Sequence, residues 1–202
     1  MLRAILRLLG LAPRASGPEP EHEAAFPFTG RVDPPAPRTD DFWAAIAPAA
    51  QVQGAEARNA ALAAALSPLD EDALQAFYAD FDRTLTRAYR SDLWAAAYAA
   101  MGGCSDDGFE YFRCWLISEG RETFEAVLAD PSRLIAPLRA LPEGEEPENE
   151  GFAYVVLDVH EARFGTMPMM NLDMPEAPEG PDWDEDAADE MYPELADWGR
   201  NR

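Results

Sequence analysis

The chain has no lysine; all sixteen of its basic residues are arginine. Cysteine and histidine are almost as scarce, with two of each in 202 residues. The shortage of histidine argues against zinc. His22 stands in a proline-rich stretch, and His160 followed by Glu161 lacks the spacing of a zinc motif. The shortage of cysteine excludes a disulfide scaffold. If Cys104 and Cys114 are joined by a helix, a rise of about 1.5 Å per residue sets them roughly 15 Å apart, beyond the reach of a bridge. They read as free thiols, which places the chain in a reducing cytoplasm. No run approaches the roughly 18 apolar residues of a membrane span. A phosphate-binding glycine loop, a dinucleotide fingerprint and a serine nucleophile elbow are all missing. No cofactor is expected.

Positive charge is also in short supply. The formal net charge is −22, unevenly spread. Residues 143–150 hold five acids and no base, and residues 173–202 hold eleven acids and two arginines. These two short stretches therefore carry most of the excess. Such a field repels nucleic-acid phosphates and anionic membranes, and no basic patch offsets it. It favours a basic protein partner or cations. Solubility alone is the plainer explanation of the same charge.

What the chain does have is apolar bulk. Hydrophobic residues make up 48%, with five Trp, six Tyr and ten Phe, which is enough for a core. The prolines cluster, seven of them in residues 12–38. Residues 1–38 therefore read as a basic-apolar arm (1–11) and an extended, disordered Pro-rich linker. Leu2, Ile5, Leu6 and Leu9 share one stripe flanked by Arg3 and Arg7. That stripe suits surface docking on a membrane or a partner, or else a frayed end. Arg7 interrupts what a secretory signal would keep apolar.

Residues 39–172 carry helical periodicity. Thr39, Asp40 and Asp41 precede Phe42, Trp43 and Ile46 as cap and first turn. A second helix spans about 53–66, with Leu62 and Leu66 inward. Ser67-Pro68 reads as the start of a third, whose stripe is Leu74, Phe77, Phe81 and Leu85. Ser91-Asp92 begins a fourth, ended by Gly102-Gly103. Ser105-Asp106-Asp107 begins a fifth, ended by Gly120. Residues 121–129 and 151–164 supply two more, the last closed by Gly165. No period-two alternation appears. The fold class is all-α: a compact helical bundle of six or seven helices with an extended Pro-rich N-terminal arm and an acidic C-terminal tail. In that tail, residues 173–202, Trp183, Tyr192, Leu195 and Trp198 are expected to pack partly on the domain.

The residues that can carry chemistry crowd into Gly102 to Gly120. Cys104, Ser105, Asp106, Asp107, Glu110, Arg113 and Trp115 form the candidate functional cluster. Asp106, Asp107 and Glu110 share a helix face at i, i+3 and i+4 spacing. Three carboxylates there suit a hard cation, or a split into acid and base if one is buried. Against that, first-turn acids complement the helix dipole and cap it, and Glu110 can pair with Arg113. Arg113, set among aromatics, is either an internal ion pair with Asp106, Asp107 or a neighbouring acid, or an anion-binding group. Cys104 precedes a helix N-terminus, a place that lowers a thiol pKa. Its only ordered candidate base is His160, and the alternative is a small buried residue.

The same segment carries a resemblance. Phe42-Trp43 with Ile46, the run Leu93 to Tyr98, the block Gly102 to Arg113 with Trp115-Leu116-Ile117 and Gly120, and the closing Trp183 to Asp186 and Tyr192 to Leu195 together resemble the bacterial domain of unknown function 4240. The likeness covers about 40–198. It implies the helical domain and no particular activity, substrate or cofactor. Two functions stay open. One is a non-catalytic interaction or regulatory module whose acidic surface engages a basic partner, in the manner of an inhibitor or immunity-type protein against a basic toxin or nuclease. The other is a metal-dependent or acid/base hydrolase-like enzyme centred on Asp106, Asp107, Glu110 and Arg113.

Overall fold

Ten α-helices and two short 3-10 turns follow one another through residues 39–169 and 175–202, the part of the chain that the computed structural model describes. The arm and linker expected over 1–38 lie outside the described residues. No strand occurs among the described residues; one isolated parallel bridge joins Arg90 to Glu179.

Helix α1 (Thr39–Ile46) buries Phe42, Trp43 and Ile46 on one face. Burying side chains of that size contributes about 1.5–3 kcal/mol each, enough to hold so short a helix by packing. After a 3-10 turn at Ala49–Gln51 comes α2 (Ala55–Leu66), which buries Leu62 and Leu66 as its spacing requires.

Helix α3 (Glu71–Arg87) corrects one expectation. It starts three residues later than Ser67-Pro68 suggests. Its cap is Asp70, whose Oδ1 accepts from the Ala73 N–H at 2.9 Å. Ser67 instead donates its hydroxyl to the Ala63 carbonyl at 2.7 Å, closing α2. A serine one turn past a helix satisfies orphan carbonyls as readily as a serine one turn before satisfies orphan N–H groups.

Helix α4 (Ser91–Met101) is rich in buried alanine: Ala95, Ala96, Ala97, Ala99 and Ala100 are all sequestered. Small residues on several faces let other helices come close. Helices α9 (Glu185–Met191) and α10 (Pro193–Arg200) both pack on α4. The contact is tight: a Cβ built on Gly199 of α10 would lie 2.3 Å from the carbonyl oxygen of Ala100. Trp183 meets Tyr98 edge to face at 5.3 Å. Upstream, the Ser91 N–H donates to the Glu179 carbonyl at 2.8 Å, and the Glu179 N–H to the Tyr89 carbonyl at 2.9 Å.

Helix α5 (Asp106–Ser118), α6 (Arg121–Ala129), a 3-10 turn at Pro131–Leu134 and α7 (Ile135–Arg139) lead to α8 (Glu150–Phe164). Helix α8 is the hub of the remaining packing, in contact with α2, α3 and α5. Phe152, Ala153, Val155, Val156 and Leu157 are all buried on it, because it is covered from several sides. Aromatic contacts link the layers: Phe42 to Phe77 at 5.1 Å, Trp43 to Phe124 at 5.3 Å, and Phe81 to Phe152 at 6.2 Å.

Candidate functional site

The start of α5 is built from local rules. Gly102 takes the left-handed conformation (φ 67°) that ends α4. Ser105 caps α5, its Oγ accepting from the Gly108 N–H at 3.2 Å. Between them, the Cys104 carbonyl accepts from the Trp94 indole N–H at 2.9 Å. The Trp94 ring lies nearly parallel to Phe109 at 4.9 Å, and Phe109 continues through Phe112 to Trp115. The aromatic side of α5 is thus inward and its acidic first turn outward.

Asp106 and Asp107 are exposed. Among the described residues, no group of three or more His, Cys, Asp or Glu side chains is placed to hold a metal ion. Arg113 is buried, at 4% exposure, and departs from the expected ion pair. Among the described residues, its Nη1 donates to the Leu85 carbonyl at 3.0 Å and its Nε to the Phe109 carbonyl at 3.3 Å. Its guanidinium also lies over the rings of Tyr89 (4.8 Å) and Phe109 (5.1 Å). Leu85 sits in the last turn of α3; its carbonyl also accepts from the Ala88 N–H at 3.2 Å, and the negative end of the helix dipole there favours a cation.

At Cys104 the helix N-terminus is opposed by two stronger effects. Burial and the neighbouring Glu148 carboxylate push its thiol up to about 12. These effects outweigh the helix N-terminus that should have lowered it. Cys114, fully buried, is likewise pushed up to about 12. His160 is occupied elsewhere: its Nδ1 pairs with the Thr166 carbonyl at 2.6 Å, and Nε2 stands 3.9 Å from Glu71.

What sequence reasoning missed is the partner that Glu148 brings. The acidic stretch 143–150 folds back on α5. The Asn149 N–H donates to the Tyr111 carbonyl at 3.0 Å. Asn149 also caps α8, its Oδ1 accepting from the Phe152 N–H at 3.2 Å, and its Nδ2 donates to Asn59 Oδ1 at 2.9 Å. Glu148 then lies against Gly108, where an added Cβ would stand 3.4 Å from its Oε1. Tyr154 donates to Glu150 at 3.0 Å, and Tyr111 bonds to the same carboxylate.

Two acid clusters far apart in sequence are thereby brought together: Asp107 and Glu110 from α5, Glu148 from the loop and Glu150 from the first turn of α8. The mutual field is felt by the groups within it. The Tyr111 hydroxyl is pushed up to about 12 by burial, by its bond to Glu150, and by Asp107 and Glu110. Glu148 is raised by burial and by Glu146 and Glu150. On α3, Asp82 is pushed up to about 7 by burial, with Arg83 opposing and Glu110 adding to the rise.

The other side of the loop closes a cavity of about 250 Å³. Arg58 and Glu119 form an ion pair at its wall, 2.6 Å apart. Arg58 is further held by Ser118 Oγ at 3.1 Å and the Val52 carbonyl at 3.2 Å. Trp115, Glu145, Glu146 and Glu148 also line it.

A family model described as "Protein of unknown function (DUF4240)" matches residues 38–162, from the start of α1 almost to the end of α8. No curated protein and no solved structure matches the chain.

Proposed function

The chain belongs to the DUF4240 family, and from that footing we propose that it is a non-catalytic interaction module whose acidic face takes up a basic partner protein. One observation carries this reading: the Asn149–Tyr111 hydrogen bond, which adds the acids of residues 143–150 to those at the start of α5. A face so charged attracts a basic surface over roughly a Debye length and repels nucleic acid. Inhibition of a basic toxin or nuclease is the kind of task such a face suits. The free thiols Cys104 and Cys114 agree with a reducing cytoplasm, and no helix of the described residues is long and apolar enough to cross a membrane.

The enzymatic alternative draws less support. Arg113 is turned to backbone carbonyls, Cys104 is a poor nucleophile, and Asp106 and Asp107 stand in solvent.

The test is co-purification from the native cells, followed by titration of the purified partner. Affinity should fall steeply between low and high salt. The triple substitution Glu145→Gln, Glu146→Gln, Glu148→Gln should weaken binding at least tenfold, about 1.4 kcal/mol. Binding that ignores both salt and the triple substitution would rule the acidic face out.

A further inference from the structure

The acidic loop carries a cation that the chain itself supplies. Arg202, two residues past α10, donates from Nη1 to Glu146 Oε2 at 3.1 Å. Its guanidinium lies 4.9 Å from the centre of the Trp198 ring, one turn back. A guanidinium set on a carboxylate with an aromatic ring beside it is the arrangement in which an arginine of a basic partner would be held. Arg202 therefore occupies the loop as a partner would. The placement is specific to this residue. Arg200 carries the same charge but pairs within α9 and α10, with Asp189 at 2.8 Å and Asp197 at 2.6 Å.

The contact is also weak enough to yield. Glu146 keeps 67% of its side chain exposed, and an ion pair within reach of water is screened by salt and costs side-chain entropy to hold. The seat of α10 is what keeps so weak a pair in place. Gly199 lies directly against the backbone of Ala100 in α4, and this fixes Arg202 beside the loop. Such tethering raises the effective concentration of the arginine at Glu146 without any new contact.

We propose that Arg202 is an autoinhibitory contact, which covers Glu146 in the free protein and is displaced when a basic partner takes the loop. The inference rests on the basic-partner reading and adds the regulation of that same face. By linkage the coupling runs both ways: partner binding loosens Arg202, and whatever loosens α10 strengthens partner binding.

Calorimetry with a nona-arginine peptide tests it, at about 0.15 M salt, where charges more than roughly 8 Å apart are screened. Arg202→Gln should bind the peptide about threefold more tightly than the unaltered protein does. Arg200→Gln makes the same change of charge on the same stretch and should leave the affinity unchanged. Glu146→Gln should weaken binding. Adding Arg202→Gln to it should then gain nothing, because the acid that Arg202 covers is already gone. Equal gains from the two arginine substitutions, or a gain that survives in the Glu146→Gln background, would overturn the proposal, since Arg202 would then act through net charge alone. Peptide binding that Arg202→Gln fails to tighten would overturn it as well and leave the acidic face standing. A peptide bound by none of these proteins at millimolar concentration would remove the face, and the contact with it.

Discussion

The Asn149 N–H and the Tyr111 carbonyl meet at 3.0 Å, and this one backbone bond fastens the acidic loop to α5. Asn149 adds two side-chain bonds, the α8 cap to the Phe152 N–H and the bond to Asn59. The site is crowded: a Cβ at Gly151 would lie 2.6 Å from Asn59 Nδ2. Asn149→Ala removes the cap and takes the partner from the half-buried Asn59 amide. The expected cost is about 1–2 kcal/mol, read as a lower denaturation midpoint. Hydrogen exchange at residues 143–150 should quicken more than in the α3 core. Unchanged exchange in the loop would show that the cap and the Asn59 bond do not hold it.

Cys104 should be inert. With its thiol near 12, only about one molecule in ten thousand is thiolate at pH 8, against a substantial fraction of an ordinary free cysteine. Iodoacetamide at pH 8 should label neither Cys104 nor Cys114 in the folded protein and both after denaturation. Rapid stoichiometric labelling of Cys104 would reinstate it as a candidate nucleophile.

These contacts mark where local reading succeeds and where it stops. The Ser105 cap, the Gly102 stop and the Gly165 close were legible, because each depends on residues within one turn. Asn149 carried a readable signal too, an N-cap residue type directly before α8. The attachment of its loop to α5 did not, because a backbone bond spanning 111 to 149 leaves no side-chain signature. Arg113 was legible as a buried cation among aromatics. Its partner was not, since the carbonyl of Leu85 belongs to another helix end, and any residue type at 85 would offer one. Asp70 and Ser67 compete as caps three residues apart, and only the course of α2 decides between them. Arg58, Glu119 and Trp115 come together across 61 residues of chain, so the cavity they line had no local pattern at all.

Asp82 should give the fold a pH dependence of definite sign. Its carboxyl titrates near 7 in the folded protein, against about 4 in an unfolded chain. Between those values the folded state holds a proton that the unfolded state has released. The stabilising contribution is therefore complete below about pH 4 and is lost as pH rises towards 7. Asp82→Asn cannot ionise. Its melting temperature should gain on that of the unaltered protein from pH 4 to 7 and keep a constant lead above about pH 8. Parallel profiles across that window would mean that Asp82 titrates alike in both states.

Gly199 should be irreplaceable even by alanine, for reasons of space rather than backbone conformation. An added methyl group would stand 2.3 Å from the Ala100 oxygen and 3.1 Å from its carbonyl carbon, and both atoms belong to the backbone of α4. Helix α4 cannot yield, because Ala95, Ala96, Ala97 and Ala99 are already buried around it. The strain must therefore lift α10, with a loss of about 1–3 kcal/mol. Lifting α10 also withdraws Arg202 from Glu146 and Glu194 from Arg139. Gly199→Ala should thus expose residues 175–202 to limited proteolysis while α3 and α8 stay protected. It should also free Glu146, so a basic partner of the acidic face should bind it more tightly than it binds the unaltered protein. Loss of affinity in this variant, with the rest of the fold intact, would mean instead that α10 forms part of the surface the partner contacts.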